Sequence, residues 1–302
     1  MTDAHVSPLQ ITNLTKYYGS KKGVEKISFA IQPGEVFGFL GANGAGKTTT
    51  IRAVLNFIHP TDGSIKIFGM DSVEDSVVVK HRIGYLSGEA ELYSDMTGQE
   101  LFYYLASFGN HVDWSYVDSL VSRLQAEPRR KIKTLSRGNR QKIGLIQALM
   151  HNPDLIILDE PTSGLDPLVQ RVFYELVLEM KQQGKTVFLS SHNLTEVQKI
   201  CDRAAFIREG NLVAIENIAN AQDLTFHRYI IEFVQPPQPD VFASLSEVHN
   251  VEVQGTTVRL DVSGSVDAFI KTLAQYEVVA LDEQELSLED IFMHYYEKEP
   301  IT

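Results

Sequence analysis

The stretch GANGAGKT, residues 41–48, constrains this chain more than any other. It follows the apolar run EVFGFLG and precedes KTTTIRAVLNFI. In the second segment Ile51, Val54, Leu55 and Ile58 recur at helical spacing. The pattern G-x-x-x-x-G-K-[ST], set between a strand and a helix, is a phosphate loop. Its physics is direct. Small residues let the backbone close around a phosphate with its N–H groups, and the helix N-terminus adds positive potential. Lys47 neutralises the terminal phosphates, and the Thr48 hydroxyl is placed for Mg²⁺. A glycine-rich turn without a ligand is the bland alternative, and the strand-helix context disfavours it.

The rest of the first two-thirds repeats this rhythm. LIILDEP and KTVFLSSH are short apolar runs, each followed by turn chemistry and then a helix-like segment. Strand, helix, strand in alternation predicts a mainly parallel sheet covered by helices. The run LIILD delivers Asp159 to a strand end, where a carboxylate can hold Mg²⁺ through water. Glu160, the next residue, can polarise a water as general base. A phosphate loop with such a partner describes a nucleoside triphosphatase.

Between about 88 and 150 the strand signals disappear. Leu101, Leu105 and Phe108 mark one helix; Val117, Leu120, Val121 and Leu124 a second; Ile143, Ile146 and Met150 a third. This predicts a helical insertion in the α/β domain. FIREGNLVAI reads as a hairpin turning at Glu209-Gly210-Asn211, and the polar stretch ENIANAQDLTFH after it reads as a linker. The expected domains are therefore 1–217 and 224–302. The tail reads β-α-β-β-α-β-α, with strands RYIIEFV, VHNVEVQ, TVRLDVS and YEVVALDEQ. Val266, Phe269, Ile270 and Leu273 line one tail helix; Leu288, Ile291, Phe292 and Tyr295 line a second. That order predicts a small ferredoxin-like α+β unit.

A second anion site is written at LSRGNRQK, residues 135–142. A serine at a helix start leaves backbone donors pointing outward. For an isolated Ser-x-Gly the plain reading is an ordinary N-cap. The wider sequence reverses that preference, because here the chain resembles the ATP-binding subunit of ABC transporters. LSRGN is similar to the signature usually written LSGGQ. LIILDEPTSGLD resembles the second nucleotide motif with its D-loop, SSHNL carries His192 at the switch histidine, and KYYG carries Tyr18 at the adenine-stacking aromatic. Tyr17 is its close competitor. The motifs fall in family order over about residues 10 to 215.

The resemblance implies an α/β P-loop NTPase of ABC ATPase type: a mainly parallel core, an antiparallel β part, the helical insertion, and the small C-terminal domain as a regulatory or dimerisation module. It implies ATP and Mg²⁺ on Gly41, Asn43, Gly44, Ala45, Gly46, Lys47, Thr48 and Thr49, with Thr48 and Asp159 toward the metal. Glu160 orients water, and His192 contacts the γ-phosphate. Two copies dock head to tail, so Ser136 and Gly138 of one hold the terminal phosphate bound by Lys47 of the other, and Asp166 reaches across. A lone nucleotide domain with this tail resembles exporter-type subunits for drugs or antibiotics, working with separate membrane permease subunits and peripheral on the cytoplasmic face.

Composition agrees where it speaks. No apolar run approaches the roughly 20 residues that span a bilayer, so another chain must form any membrane path. No secretory leader is expected from MTDAHVSPLQ, and Cys201, the one cysteine, allows no internal disulfide. The net charge of −12 lowers the expectation of a nucleic-acid partner. The basic run at 129–142 reads as a solvated face that raises positive potential near the triphosphate. Two departures from the family pattern stand out. Gly88 falls where the family has a glutamine, with Glu89 next to it, either a metal ligand or a solvated loop acid. The signature has Arg137 for a glycine and Asn139 for glutamine. The alternative function is a soluble ABC-type ATPase acting on ribosomes or DNA. Relatives of that kind carry two nucleotide domains or long coiled coils, and neither is written here.

Overall fold

A computed structural model describes residues 6–88, 92–109, 112–218, 226–235, 238 and 240–285. They divide into two units, Met1–Ile218 and Ala219–Thr302. The first unit opens with β1 (Leu9–Tyr18), β2 (Lys21–Ile31) and β3 (Val36–Leu40), then α1 (Lys47–Val54). There follow β4 (Asp62–Ile67), β5 (Met70–Asp71), α2 (Ser76–Lys80) and β6 (Ile83–Leu86). The helical insertion holds α3 (Gly98–Ala106), α4 (Trp114–Arg123) and α5 (Arg137–Leu149). The unit closes with β7 (Leu155–Asp159), α6 (Pro167–Gln182), β8 (Thr186–Ser191), α7 (Leu194–Ile200), β9 (Arg203–Arg208) and β10 (Asn211–Asn217).

The sheet order is β5-β4-β1-β2-β10-β9-β3-β8-β7-β6. Its core, β9-β3-β8-β7-β6, is parallel throughout. β3, β7 and β8 are buried at every position. Burial on both faces is why they read as unbroken apolar runs and not as alternation. Phe29, Phe37, Phe39 and Phe188 cluster in this core, with Phe29 and Phe37 stacked at 5.1 Å between centroids. The antiparallel part, β5-β4-β1-β2, meets the core where Glu25 N donates to Gly210 O at 2.7 Å. The hairpin β9-β10 turns on Glu209 and Gly210, with φ of 47° and 79°, the left-handed pair that suits a tight hairpin.

Helix ends differ from the periodicity in instructive ways. α3 starts at a full capping box between Thr97 and Glu100 but stops at Ala106, so Phe108 lies beyond it and is 61% exposed. Ser107 caps the helix, so Phe108 falls past its last turn, and Gly109 then turns left-handed at φ 99°. Likewise α1 ends at Val54, and Asn56 at φ 53° carries Ile58 into the core from a turn.

The second unit contains β11 (Phe226–Phe233), α8 (Asp240–Ala243), β12 (Val248–Gln254), β13 (Thr257–Ser263), α9 (Asp267–Leu273) and β14 (Val278–Glu285). The order β12-β13-β11-β14, antiparallel at each pairing, is the ferredoxin-like arrangement. Ile231, Phe233, Leu260, Phe242 and Phe269 form its own core. Ile270, expected on the buried face of α9, is 43% exposed: in so short a helix Phe269 and Leu273 take the core. β10 and β11 claim the two ends of the expected linker. The expected last helix through Leu288 and Tyr295, and Glu89, lie outside the described residues. Among the described residues no helix is long and apolar enough to cross a membrane.

Candidate functional site

The carboxyl ends of the parallel strands converge, as they must where a strand-to-helix loop wraps a ligand. β3 delivers the phosphate loop to α1. Gly46, the N-cap, sits at φ 113°, and a Cβ there would lie 2.6 Å from Val24 Cγ1, so only glycine fits. Lys47 is buried, and its Nζ donates to Gly41 O at 2.6 Å and to Ala42 O at 3.2 Å. Thr48 Oγ1 donates to Asp159 Oδ2 at 2.8 Å, and Ser190 Oγ donates to Oδ1 of the same carboxylate. Asp159 is 2% exposed, so these hydroxyls replace the water it has lost.

Glu160 follows in a left-handed backbone, φ 49°. Its N–H donates to Ser190 Oγ at 3.1 Å, and Gln141 Nε2 donates to its carbonyl at 3.3 Å and to Pro161 O at 3.1 Å. The turn aims the side chain between Lys47 and His192. Oε2 lies 2.6 Å from His192 Nδ1; a carboxylate only accepts, so Nδ1 carries the proton. Oε1 lies 3.1 Å from Lys47 Nζ, an ion pair set at an angle that leaves this buried oxygen without a hydrogen-bond donor. An oriented carboxylate with an unused lone pair is what a water to be activated requires.

Two cavities share Asn43, Thr48 and Glu160. One, about 480 Å³, runs past Gly44, Lys47 and Thr49 to Lys22, Gly23 and Tyr18. Tyr18 is 46% exposed, with Lys16 Nζ 5.4 Å from its ring centroid. Tyr17 is instead spent on Glu25, to which its hydroxyl donates at 3.1 Å, and that carboxylate holds the phenol pKa up. The other cavity, about 520 Å³, is lined by Arg52, Gly88, Arg137, Asp159 and His192. A Cβ on Gly88 would lie 3.4 Å from Asp159 Oδ2, so a side chain at this position would reach the aspartate.

Ser136 caps α5, its Oγ accepting from Asn139 N at 3.2 Å. The plain N-cap is thus present, and the hydroxyl proton and the first-turn N–H groups remain available to an anion. Gly138 lies against the loop after β7: a Cβ there would be 2.5 Å from Gly164 O. Beside it Arg137 donates to Ser163 Oγ at 2.7 Å. Asp166 caps α6 within its own chain, accepting from Leu168 N and Val169 N.

One chain therefore gathers Tyr18, Lys47, Thr48, Asp159, Glu160 and His192 around the two cavities, while Ser136, Gly138 and Asp166 do not line them. Ala45 is buried and Gly41 serves through its carbonyl. Ser190, Gln141 and Glu196 were not legible as site residues. Glu196 is 2% exposed behind the site, its Oε2 accepting from Ser191 Oγ at 2.6 Å. Burial pushes its carboxyl up to about 7, against the pull of hydroxyls on Ser191 and Thr162. The only available signal was a polar residue on an apolar helix face.

Comparison with known proteins agrees with this geometry. A family model described as ABC transporter matches residues 24–163. An uncharacterised ABC transporter ATP-binding protein of Methanocaldococcus jannaschii is 38% identical over 210 residues, 68% of this chain and 76% of that protein. A bacitracin transport ATP-binding protein of Bacillus licheniformis is 32% identical over 305 residues, 94% of this chain and 96% of that protein. A solved structure of an ABC transporter ATP-binding subunit is similar with a TM-score of 0.65 and 26% identity, covering 72% of this chain and 92% of that one.

Proposed function

The chain belongs to the family of ABC transporter ATP-binding proteins, and on that premise we propose how its residues bind and hydrolyse ATP to drive transport. The observation that carries the reading is Glu160, held between Lys47 and His192 with Oε1 unused, beside the Asp159–Thr48 pair. ATP lies along the phosphate loop, its base against Tyr18 and its terminal phosphate at Lys47. The loop carbonyls on Lys47 give way to phosphate oxygens, and the Gly44 to Thr49 backbone donates to the chain of phosphates. Glu160 orients and deprotonates the attacking water; His192, fixed by Glu160, faces the γ-phosphate.

The donor set fits Mg²⁺. Asp159 and Thr48 are hard oxygen donors, and a single buried carboxylate suits a metal that keeps waters and substrate phosphates as its other ligands. Thr48 and Asp159 would hold it, and when bound it would neutralise charge on the transferring phosphoryl group. Glu160 orients the water and Lys47 holds the phosphate.

A second copy completes each pocket. Ser136 and Gly138 stand at the start of α5 and line neither cavity of their own chain, which supports their service to the nucleotide of a partner. A contact made only with the γ-phosphate couples closure of the pair to ATP and opening to its hydrolysis. The membrane path belongs to separate permease subunits at the cytoplasmic face. A groove between the sheet and the helical insertion, lined by Phe57, Tyr85, Leu105, Phe108 and Met150, offers them an apolar seat; Phe57 and Phe108 are 54% and 61% exposed. A relative named for bacitracin transport that spans nearly the whole chain, tail included, supports export of the drug or antibiotic type.

Glu160→Gln tests the reading. The variant keeps ATP affinity, slows hydrolysis by roughly 10²-fold or more, as loss of a general base does, and forms a long-lived dimer with ATP and Mg²⁺ on a sizing column. A variant that stays monomeric while hydrolysing at the normal rate would refute it.

A further inference from the structure

Glu196 sits in the second layer behind Glu160 and His192, and the reaction described so far does not use it. It is 2% exposed, yet one of its oxygens, Oε1, has no hydrogen-bond donor. A buried carboxyl with an idle oxygen is costly in a fold that could have used an apolar residue or an amide there. Its other oxygen takes the hydroxyl of Ser191, the residue before His192. That hydroxyl also accepts from Asn193 N at 2.9 Å, and Asn193 caps the helix that carries Glu196. On the other side stands Thr162, two residues past Glu160, close enough to favour the charged form without making a well-aligned bond. Glu196 thus touches the end of β8, which aims His192, and neighbours the turn that aims Glu160.

We propose that Glu196 is a positioning residue whose ionisation tunes the Glu160–His192 pair from behind. The inference rests on the catalytic reading of Glu160 given above. The charged groups that face it are few. Glu160 on the loop after β7 repels its charge, and His192 at the end of β8 attracts it. Tyr174 on α6 and the Cys201 thiol at the end of α7 are both pushed up by burial first, with the charge of Glu196 adding to it. Burial holds its carboxyl at about 7, within the range where the cytoplasm varies. When it ionises, the hydrogen bond it accepts from Ser191 becomes charge-assisted and holds the end of β8, and with it His192, more firmly against Glu160. A firmer seat for His192 favours the reactive geometry, so turnover rises as Glu196 loses its proton.

The test is the pH dependence of ATP hydrolysis by the full chain, wild type against Glu196→Gln. The wild type should show a rise in kcat centred near 7. The glutamine variant should lose that rise and stay on the acid-side rate, roughly three- to tenfold lower above it, the scale of one hydrogen bond strengthened by charge. KM for ATP should stay within about twofold, because Glu196 lines neither cavity. Ser191→Ala provides the second arm: without the hydroxyl that favours the charged form, the rise should move to higher pH. A Glu196→Gln profile that overlays the wild type overturns the proposal, as does a Ser191→Ala profile that does not move should the first variant fail to fold. Glu160→Gln separates the two readings. If it hydrolyses normally, the catalytic assignment fails; if it is inactive while Glu196→Gln is unchanged, only the role of Glu196 fails.

Discussion

Glu160 occupies a backbone region that costs a residue other than glycine about 1–3 kcal/mol. The surroundings offset it at each atom: Ser190 holds its N–H, Gln141 its carbonyl, and Lys47 and His192 its carboxylate. Lys47 was legible from the spacing within its loop, Asp159 and Glu160 from the apolar strand that ends on them, and His192 only through the family resemblance. Ser190, Gln141 and Glu196 were not, because a buried polar residue means something only once its partner is known. Glu196 also carries a stability consequence. Its carboxyl is raised from 4.5 to about 7 in the fold, so the protonated form is the one folding favours. The stability contribution is whole below 4.5 and is shed as pH climbs through 7. Glu196→Gln removes that loss. Urea melts should find the variant close to wild type at about pH 5 and more stable by roughly 1–3 kcal/mol at about pH 8.

At the scale of elements, the start of α5 and the loop after β7 behave as one piece. Gly138 abuts Gly164 O, Arg137 reaches Ser163, and Gln141 grips the carbonyls of Glu160 and Pro161. The helix start proposed to serve a partner's nucleotide is thereby fastened to the turn that carries Glu160 in its own chain. Ser136→Arg places bulk and charge at that start without touching Lys47 or Tyr18. Its single-site ATP affinity should stay within about twofold, while cooperative turnover falls by roughly 10²-fold, the scale of a lost transition-state donor. Nucleotide titration of the monomer and steady-state hydrolysis at rising protein concentration read the two separately. A collapse of monomer affinity would mean that Ser136 serves its own nucleotide. Elements were unevenly legible. β3, β7 and β8 could be read because both faces are buried. β1 and β2 could not: their pairing shifts register at Leu14 and Lys16, and Asn13 and Lys26 turn left-handed within them, so the period of two breaks. The end of α3 departs from its periodicity because capping decides where a short helix stops, and the face of α9 because in seven residues Phe269 and Leu273 alone fill the core side.

The whole molecule is two units with separate cores, and each nucleotide-site residue argued above lies in the first. The polar stretch between the last strand of the one and the first of the other was visible in the sequence because composition changes there. What the second unit does was not, since a ferredoxin-like fold hosts many roles and none is written in its side chains. Its buried Asp261, held by Arg228 at 2.7 and 3.0 Å, is satisfied within its own sheet and needs nothing from the nucleotide site. The two cores predict separable folding. A chain ended at Ile218 should unfold in a single transition, where the full chain shows two, and should bind ATP within about twofold of the full chain. Calorimetry and nucleotide titration of both lengths check this. A shortened chain that aggregates or loses ATP would mean that the second unit completes the first, and the sheet that aims Lys47 and Glu160 would not be self-sufficient. Retention of affinity would confine any influence of the tail to steps after binding, namely pairing of two copies or its coupling to the membrane partner.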